Sequence, residues 1–89
     1  MKQENYTLHI IFSINGWRQA SPLVSSEDKI LLIQDGTYLA QQNLPQTHSL
    51  FARCIDLKAR NIKPDPHIEV IDDEQWVELT GHAHNTMSW

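Results

Sequence analysis

Cysteine, glycine, proline and basic residues are all scarce in these 89 residues, which contain one cysteine, three glycines, four prolines and seven lysines and arginines. The single Cys54 excludes an internal disulfide. The opening Met1-Lys2-Gln3-Glu4-Asn5 has no apolar signal core, and together these two features point to a reducing, cytoplasmic setting. Gly16, Gly36 and Gly81 lie too far apart for a dinucleotide fingerprint or a P-loop, so no nucleotide and no other cofactor is expected. Seven basic residues against eleven acidic ones give a net charge of -4 with no basic cluster, so direct nucleic-acid binding is not expected either. No apolar run approaches the roughly 18 residues that span a bilayer, and little Gly and Pro excludes collagen-like and low-complexity chains.

What remains is a globular composition, 40% hydrophobic and 20% charged, in a chain that holds one domain over residues 1–89. A chain this short hides only about 60% of the surface its unfolded form exposes, which makes association with other subunits a natural way to complete its burial.

Apolar bursts of strand length alternate with stretches of helix length, as in repeated βα units. The first burst, 8–14, ends at the turn dipeptide Asn15-Gly16. Residues 17–26 are ambiguous, Pro22 after Ser21 fitting only a short helix. The second burst, 29–34, is apolar without alternation over Ile30 to Ile33, which predicts a central strand covered on both faces. Asp35-Gly36-Thr37 then turns the chain, Gly36 supplying positive φ, into a helix from Tyr38 that ends at Asn43 and Pro45. A third strand over 49–53 leads to a helix capped by Asp56, with Asn61 as its left-handed stop. Pro64 and Pro66 hold the next link out of helix before a fourth strand at 67–71. Asp72 and Gln75 form a capping-box pattern for a helix over 73–80, with Trp76, Leu79 and Thr80 facing the sheet and Gly81 at its C-cap. A polar tail follows. The pattern predicts an α/β fold with a mainly parallel sheet.

Few constellations could carry chemistry. Cys54 is the one conventional nucleophile, and its place before a helix start can activate a thiol; a buried structural cysteine is the plainer reading, since no histidine or second cysteine is adjacent. Asp35-Gly36 ends a buried strand, where open α/β sheets place ligand crevices, although a simple turn accounts for both residues. Among five histidines, His82-x-His84 invites a metal reading, but a structural zinc wants four ligands and the rest are His9, His48 and His67 far off, so no metal site is assigned. Asp72, Asp73 and Glu74 are explained by a helix N-terminus. Met87 and Trp89 put apolar area on the tail, where it either docks on the sheet edge or meets another subunit, as aromatic residues do at interfaces.

The ordered set Leu8-His9, Trp17, Leu31-Leu32-Ile33-Gln34-Asp35-Gly36, Asp56-Leu57-Lys58-Ala59-Arg60, Trp76-Val77-Glu78-Leu79-Thr80 and Trp89 resembles the TusB/DsrH family of sulfur-relay proteins over nearly the whole chain. The resemblance implies a three-layer α/β/α subunit that joins two sister subunits of the same fold, TusC- and TusD-like, in a hexamer of two heterotrimers. Such a complex takes persulfide sulfur from a small carrier protein and passes it towards 2-thiolation of the wobble uridine in tRNA. In related sulfur-oxidation proteins a cysteine lies in the segment corresponding to residues 15–28, and this chain has none there. The resemblance therefore implies a non-catalytic subunit that has no catalytic residue of its own and contributes surface, with Trp89, Met87, Asp35 and Gly36 as interface candidates. Two features depart from the family: Asn61 stands in place of a usual glycine, and Cys54 occupies a position where no relay cysteine is expected. The alternatives are a thiol-dependent sulfurtransferase using Cys54 and a self-associating α/β module without relay activity.

Overall fold

The computed structural model describes residues 5–42, 44 and 49–89; the expected helix end at Asn43 and Pro45, and His48, lie outside them. Five parallel strands, β1 (Thr7–Ile11), β2 (Lys29–Leu32), β3 (Ser49–Arg53), β4 (Glu69–Ile71) and β5 (Asn85–Ser88), form one sheet in the order β4-β3-β2-β1-β5. Helices α1 (Ile14–Ala20), α2 (Cys54–Ala59) and α3 (Asp73–His82) connect them, with 3₁₀ segments at Ser21–Leu23 and Gln34–Gln41. The path steps from β1 to β4 in one direction and returns past β1 to β5. Right-handed crossovers then place the first three connections on one face and α3 on the other.

The two cores follow that division. Ile11, Ile30, Leu32, Leu50 and Ala52 meet Ala20, Leu39, Ala40 and Leu57 on the first face. Leu8, Ile10, Leu31 and Ile33 meet Ile71 and Ala83, with Trp76 and Leu79 of α3 packed over them, on the second. The chain is thus a three-layer α/β/α domain, and β2 is its central strand, as its unbroken apolar run implied. Leu8, Ile11, Ile30, Leu31, Leu32, Ile33 and Leu39 are fully buried, each contributing roughly 1.5–3 kcal/mol of hydrophobic stabilisation.

Several expectations are corrected locally. The first strand ends at Ile11, because Ser13 takes the N-cap of α1 with its Oγ accepting the Gly16 N–H at 3.0 Å. Asn15-Gly16 therefore lies inside a helix instead of making a turn. The segment after β2 is a 3₁₀ helix beginning at Gln34, not an α-helix beginning at Tyr38, and no described glycine has positive φ. Asp56 does not cap α2, which starts two residues earlier at Cys54. Asn61 takes φ 53°, the expected left-handed stop. The capping box of α3 is complete, but the helix runs on to His82, so Gly81 is helical and Ala83 is the cap; Thr80 is exposed, its hydroxyl donating to the Trp76 carbonyl. The fourth strand starts at Glu69, and the expected polar tail is the edge strand β5.

Candidate functional site

In a parallel sheet the strand ends that face the helix N-termini form a natural crevice. Here the carboxyl ends of β2, β3 and β4 carry a chain of charges. Asp56 is buried in the first turn of α2, where its Oδ2 accepts the Gln34 N–H at 2.8 Å and a long contact from Arg53 Nη1 at 3.4 Å. Arg60, one turn further on, places Nη1 3.7 Å from Asp56 Oδ1 and donates from Nε and Nη2 to Asp35 at 3.1 and 3.0 Å. Arg53 also holds Asp73 through a two-pronged contact, Nε at 2.7 Å and Nη2 at 3.1 Å, and lies 5.1 Å over the Trp76 ring. The Asp73 hydrogen bond pushes the Arg53 guanidinium further into its charged form and holds the Asp73 carboxyl below its usual value. One buried carboxylate thus ties β2, β3 and α2 together, and Arg53 extends the tie to α3.

Gln34 carries a strained backbone at the centre of this crest, with φ 49°. Three bonds hold it there: its N–H to Asp56, its carbonyl accepting the Thr37 hydroxyl at 2.6 Å, and Gly36 N–H to Ile33 O at 2.9 Å. Gly36 is required for a different reason. A Cβ on it would stand 2.0 Å from the Ile11 carbonyl oxygen, so the glycine permits the 3₁₀ segment to lie against the end of β1. Asp35, next to it, is exposed and paired with Arg60.

Trp89 reaches the same end of β1 from the other side. Its N–H donates to Ile10 O and its carbonyl accepts the Phe12 N–H, both at 2.9 Å. Its ring packs against the first-face core, and its main chain fills the space over Gly16, where a Cβ would come within 2.6 Å. Within the chain this tryptophan lies on its own sheet edge, the first of the two expected placements. Gly36 and Trp89 therefore abut neighbouring residues of β1, whereas Met87 lies one residue pair back on β5, opposite His9.

Cys54, half-buried at the start of α2, lines a groove of about 500 Å³ with Ile55, Lys58, Asp72, Asp73 and Glu74. No histidine lines that groove. His82 and His84 join no cluster: among the described residues no group of three or more His, Cys, Asp or Glu could hold a metal ion, and no helix is long and apolar enough to cross a membrane. Sequence reasoning missed Asp56, Gln34 and the Arg53 and Arg60 links. The signal was present only as Asp56 and Arg60 at helical spacing, which marks one helix face and not its partners.

The family model described as DsrH like protein matches residues 12–86, from Phe12 just past β1 to Thr86 within β5. No curated protein matches the chain.

Proposed function

The chain belongs to the DsrH-like protein family, whose role lies in sulfur relay, and on that premise we propose that it is a non-catalytic subunit of a sulfurtransferase complex. In this reading it sits with two sister subunits of the same fold in the cytoplasm, and the assembly passes persulfide sulfur from a carrier protein towards 2-thiolation of the tRNA wobble uridine. The observation that carries it is the setting of the chain's one cysteine. A thiol that accepts and hands on sulfur needs a base or a favourable field to make it a thiolate. Cys54 has three carboxylates and one lysine around its groove and no histidine. The segment 15–28, where related sulfur-oxidation proteins keep a cysteine, is spent on α1 and the following 3₁₀ turn and contains none.

Asp35, Gly36, Met87 and Trp89 are the residues proposed to bear on assembly, Asp35 and Met87 by their exposure and Gly36 and Trp89 through the β1 end that they shape. Replacing Cys54 by Ser tests the reading in cells dependent on this chain. Cellular 2-thiouridine is expected to stay within a few-fold of wild type, with the complex intact by native mass spectrometry. A fall of two or more orders of magnitude with assembly intact would replace this reading by a sulfurtransferase acting through Cys54, and failure to co-purify with any sister subunit would leave a self-associating module.

A further inference from the structure

We infer that the buried imidazole of His9 is a pH-sensitive latch for the β5 edge of the sheet: the neutral ring seats Trp89, and the protonated ring releases it while staying paired with Asp28. The Trp89 indole N–H reaches Nδ1 of His9 at 3.1 Å, and Nε2 of the same ring stands 2.9 Å from Asp28 Oδ2. An indole nitrogen only donates, whereas an imidazolium donates from both of its nitrogens. Trp89 and an added proton therefore compete for one lone pair. The two rings lie 22° from coplanar with their centroids 6.2 Å apart, so they meet edge to edge. The positive rim of the indole faces Nδ1, and no cation–π attraction offsets the lost bond.

The charged ring is provided for on its other side. A buried imidazolium is costly unless it is paired, and Asp28 is already in contact. The Asp28 carboxylate also accepts the Thr7 and Ser25 N–H groups at 3.2 and 3.1 Å. Held below its ordinary value, it stays ionised across the range in which histidines titrate. The elements around the ring bring no second charge to it. His9 stands opposite Ile30 of β2 and Met87 of β5. The one charged side chain of α1 is Arg18, and the loop before β2 adds Glu27; both are exposed. Lys29 lies over the Tyr6 and Phe51 rings of the second face, and the main-chain oxygen of Trp89 accepts the Phe12 N–H. Among the described residues Asp28 is the only charged group paired with the ring.

Trp89 is the partner that must move. His9 is fixed within β1, which is flanked by β2 on one side and β5 on the other. All four residues of β5 are exposed, so Trp89 alone ties this edge to a core, its ring against the first face and its main chain over Gly16. Protonation of His9 thus loosens the edge strand at its one buried anchor and leaves β2 and β3 covered.

Nuclear magnetic resonance of the intact, ¹⁵N-labelled chain between about pH 8 and about pH 5 is the test. The Trp89 indole N–H signal is expected to move in one step with the His9 ring signals. Its hydrogen exchange, referred to the indole of Trp76, should rise at least about tenfold over that step. His9→Asn keeps an acceptor near the place of Nδ1 and takes up no proton, so its Trp89 signal should stay in place throughout. If that variant fails to fold, urea melts of the wild type and Trp89→Phe read the same latch. The difference between their midpoints at the higher pH should close at the lower one, the histidines being common to both chains. A Trp89 signal that holds its position down to the lower pH, the same release in His9→Asn, or a midpoint difference that does not change with pH overturns the inference.

Discussion

The indole N–H of Trp89 donates to Nδ1 of His9 at 3.1 Å, although the two residues stand eighty positions apart in the chain. An indole nitrogen can only donate, so His9 Nδ1 holds a lone pair and its proton sits on Nε2, which donates to Asp28 Oδ2 at 2.9 Å. His9 is 2% exposed. A buried imidazole therefore joins the end of β5 to the loop before β2.

Replacing Trp89 by Phe keeps most of the apolar ring and removes the donor. The expected cost is about 1–3 kcal/mol, the usual penalty for leaving one partner of a buried hydrogen bond unsatisfied. Urea denaturation measures it, and a loss below the error of the melt would show that the His9 bond contributes nothing.

Asp28 sets a pH dependence. Burial pushes its carboxyl up, but hydrogen bonds from His9, from the Ser25 and Thr7 N–H groups and from the Ser25 side chain outweigh that and hold it below the ordinary 3.8. A carboxyl with a depressed folded value binds its proton more readily in the unfolded chain. Its contribution is therefore complete above the unfolded value and is lost as pH falls through the folded one, below 3.8. Asp28→Asn should be less stable than wild type at neutral pH, and the difference should shrink in melts taken progressively below that value. A constant gap down the series would contradict it.

Gly36 and Gly16 make a contrasting pair. A Cβ at Gly36 meets backbone, the Ile11 carbonyl at 2.0 Å, which cannot yield without moving β1. Gly36→Ala is expected to cost about 3 kcal/mol or more, at the top of the range for overpacking. At Gly16 the obstacle is the Trp89 main chain at 2.6 Å, and the last strand can be displaced. Gly16→Ala should raise amide exchange across β5 while β2 and β3 keep their protection; equal loss of protection in all strands would show that β5 is not a separable unit.

Much of this architecture was legible in the chain. The apolar runs at Ile30 to Leu32 and Leu50 to Ala52 mark buried strands because parallel sheets cover both faces, and Asp72 with Gln75 marks α3 because a capping box is local. What was not legible depends on distant contacts. β5 carries no β-branched run beyond Thr86, and it is a strand because β1 offers it a ladder and His9 holds Trp89. Asn15-Gly16 has the form of a turn, yet the Ser13 cap and the approach of Trp89 make it helix. At the crest, nothing near Asp56 in sequence announces that its partner is the N–H of Gln34, the residue that bears the strain Gly36 was expected to take.

That strain leads to the last expected outcome. A non-glycine residue at φ 49° bears a cost that glycine does not, and it persists at Gln34 because Asp56, Thr37 and the Gly36 N–H bond all fix the same turn. Gln34→Gly relieves the side-chain strain but gives the unfolded chain more freedom, so the net gain in stability should be no more than about 1 kcal/mol. Asp56→Ala removes the tie itself, leaving the Gln34 N–H without its acceptor and Arg53 and Arg60 without their shared carboxylate. A loss of about 2–3 kcal/mol is expected for hydrogen bonds to a charged group. If Asp56 is what holds Gln34 in the left-handed region, the two changes must couple: in the Gln34→Gly background, where the turn no longer needs forcing, Asp56→Ala should cost measurably less. A double-mutant cycle by urea melts reads this directly. Strictly additive losses would mean that Gln34 is held by its 3₁₀ neighbours alone and that the buried carboxylate serves only the two arginines.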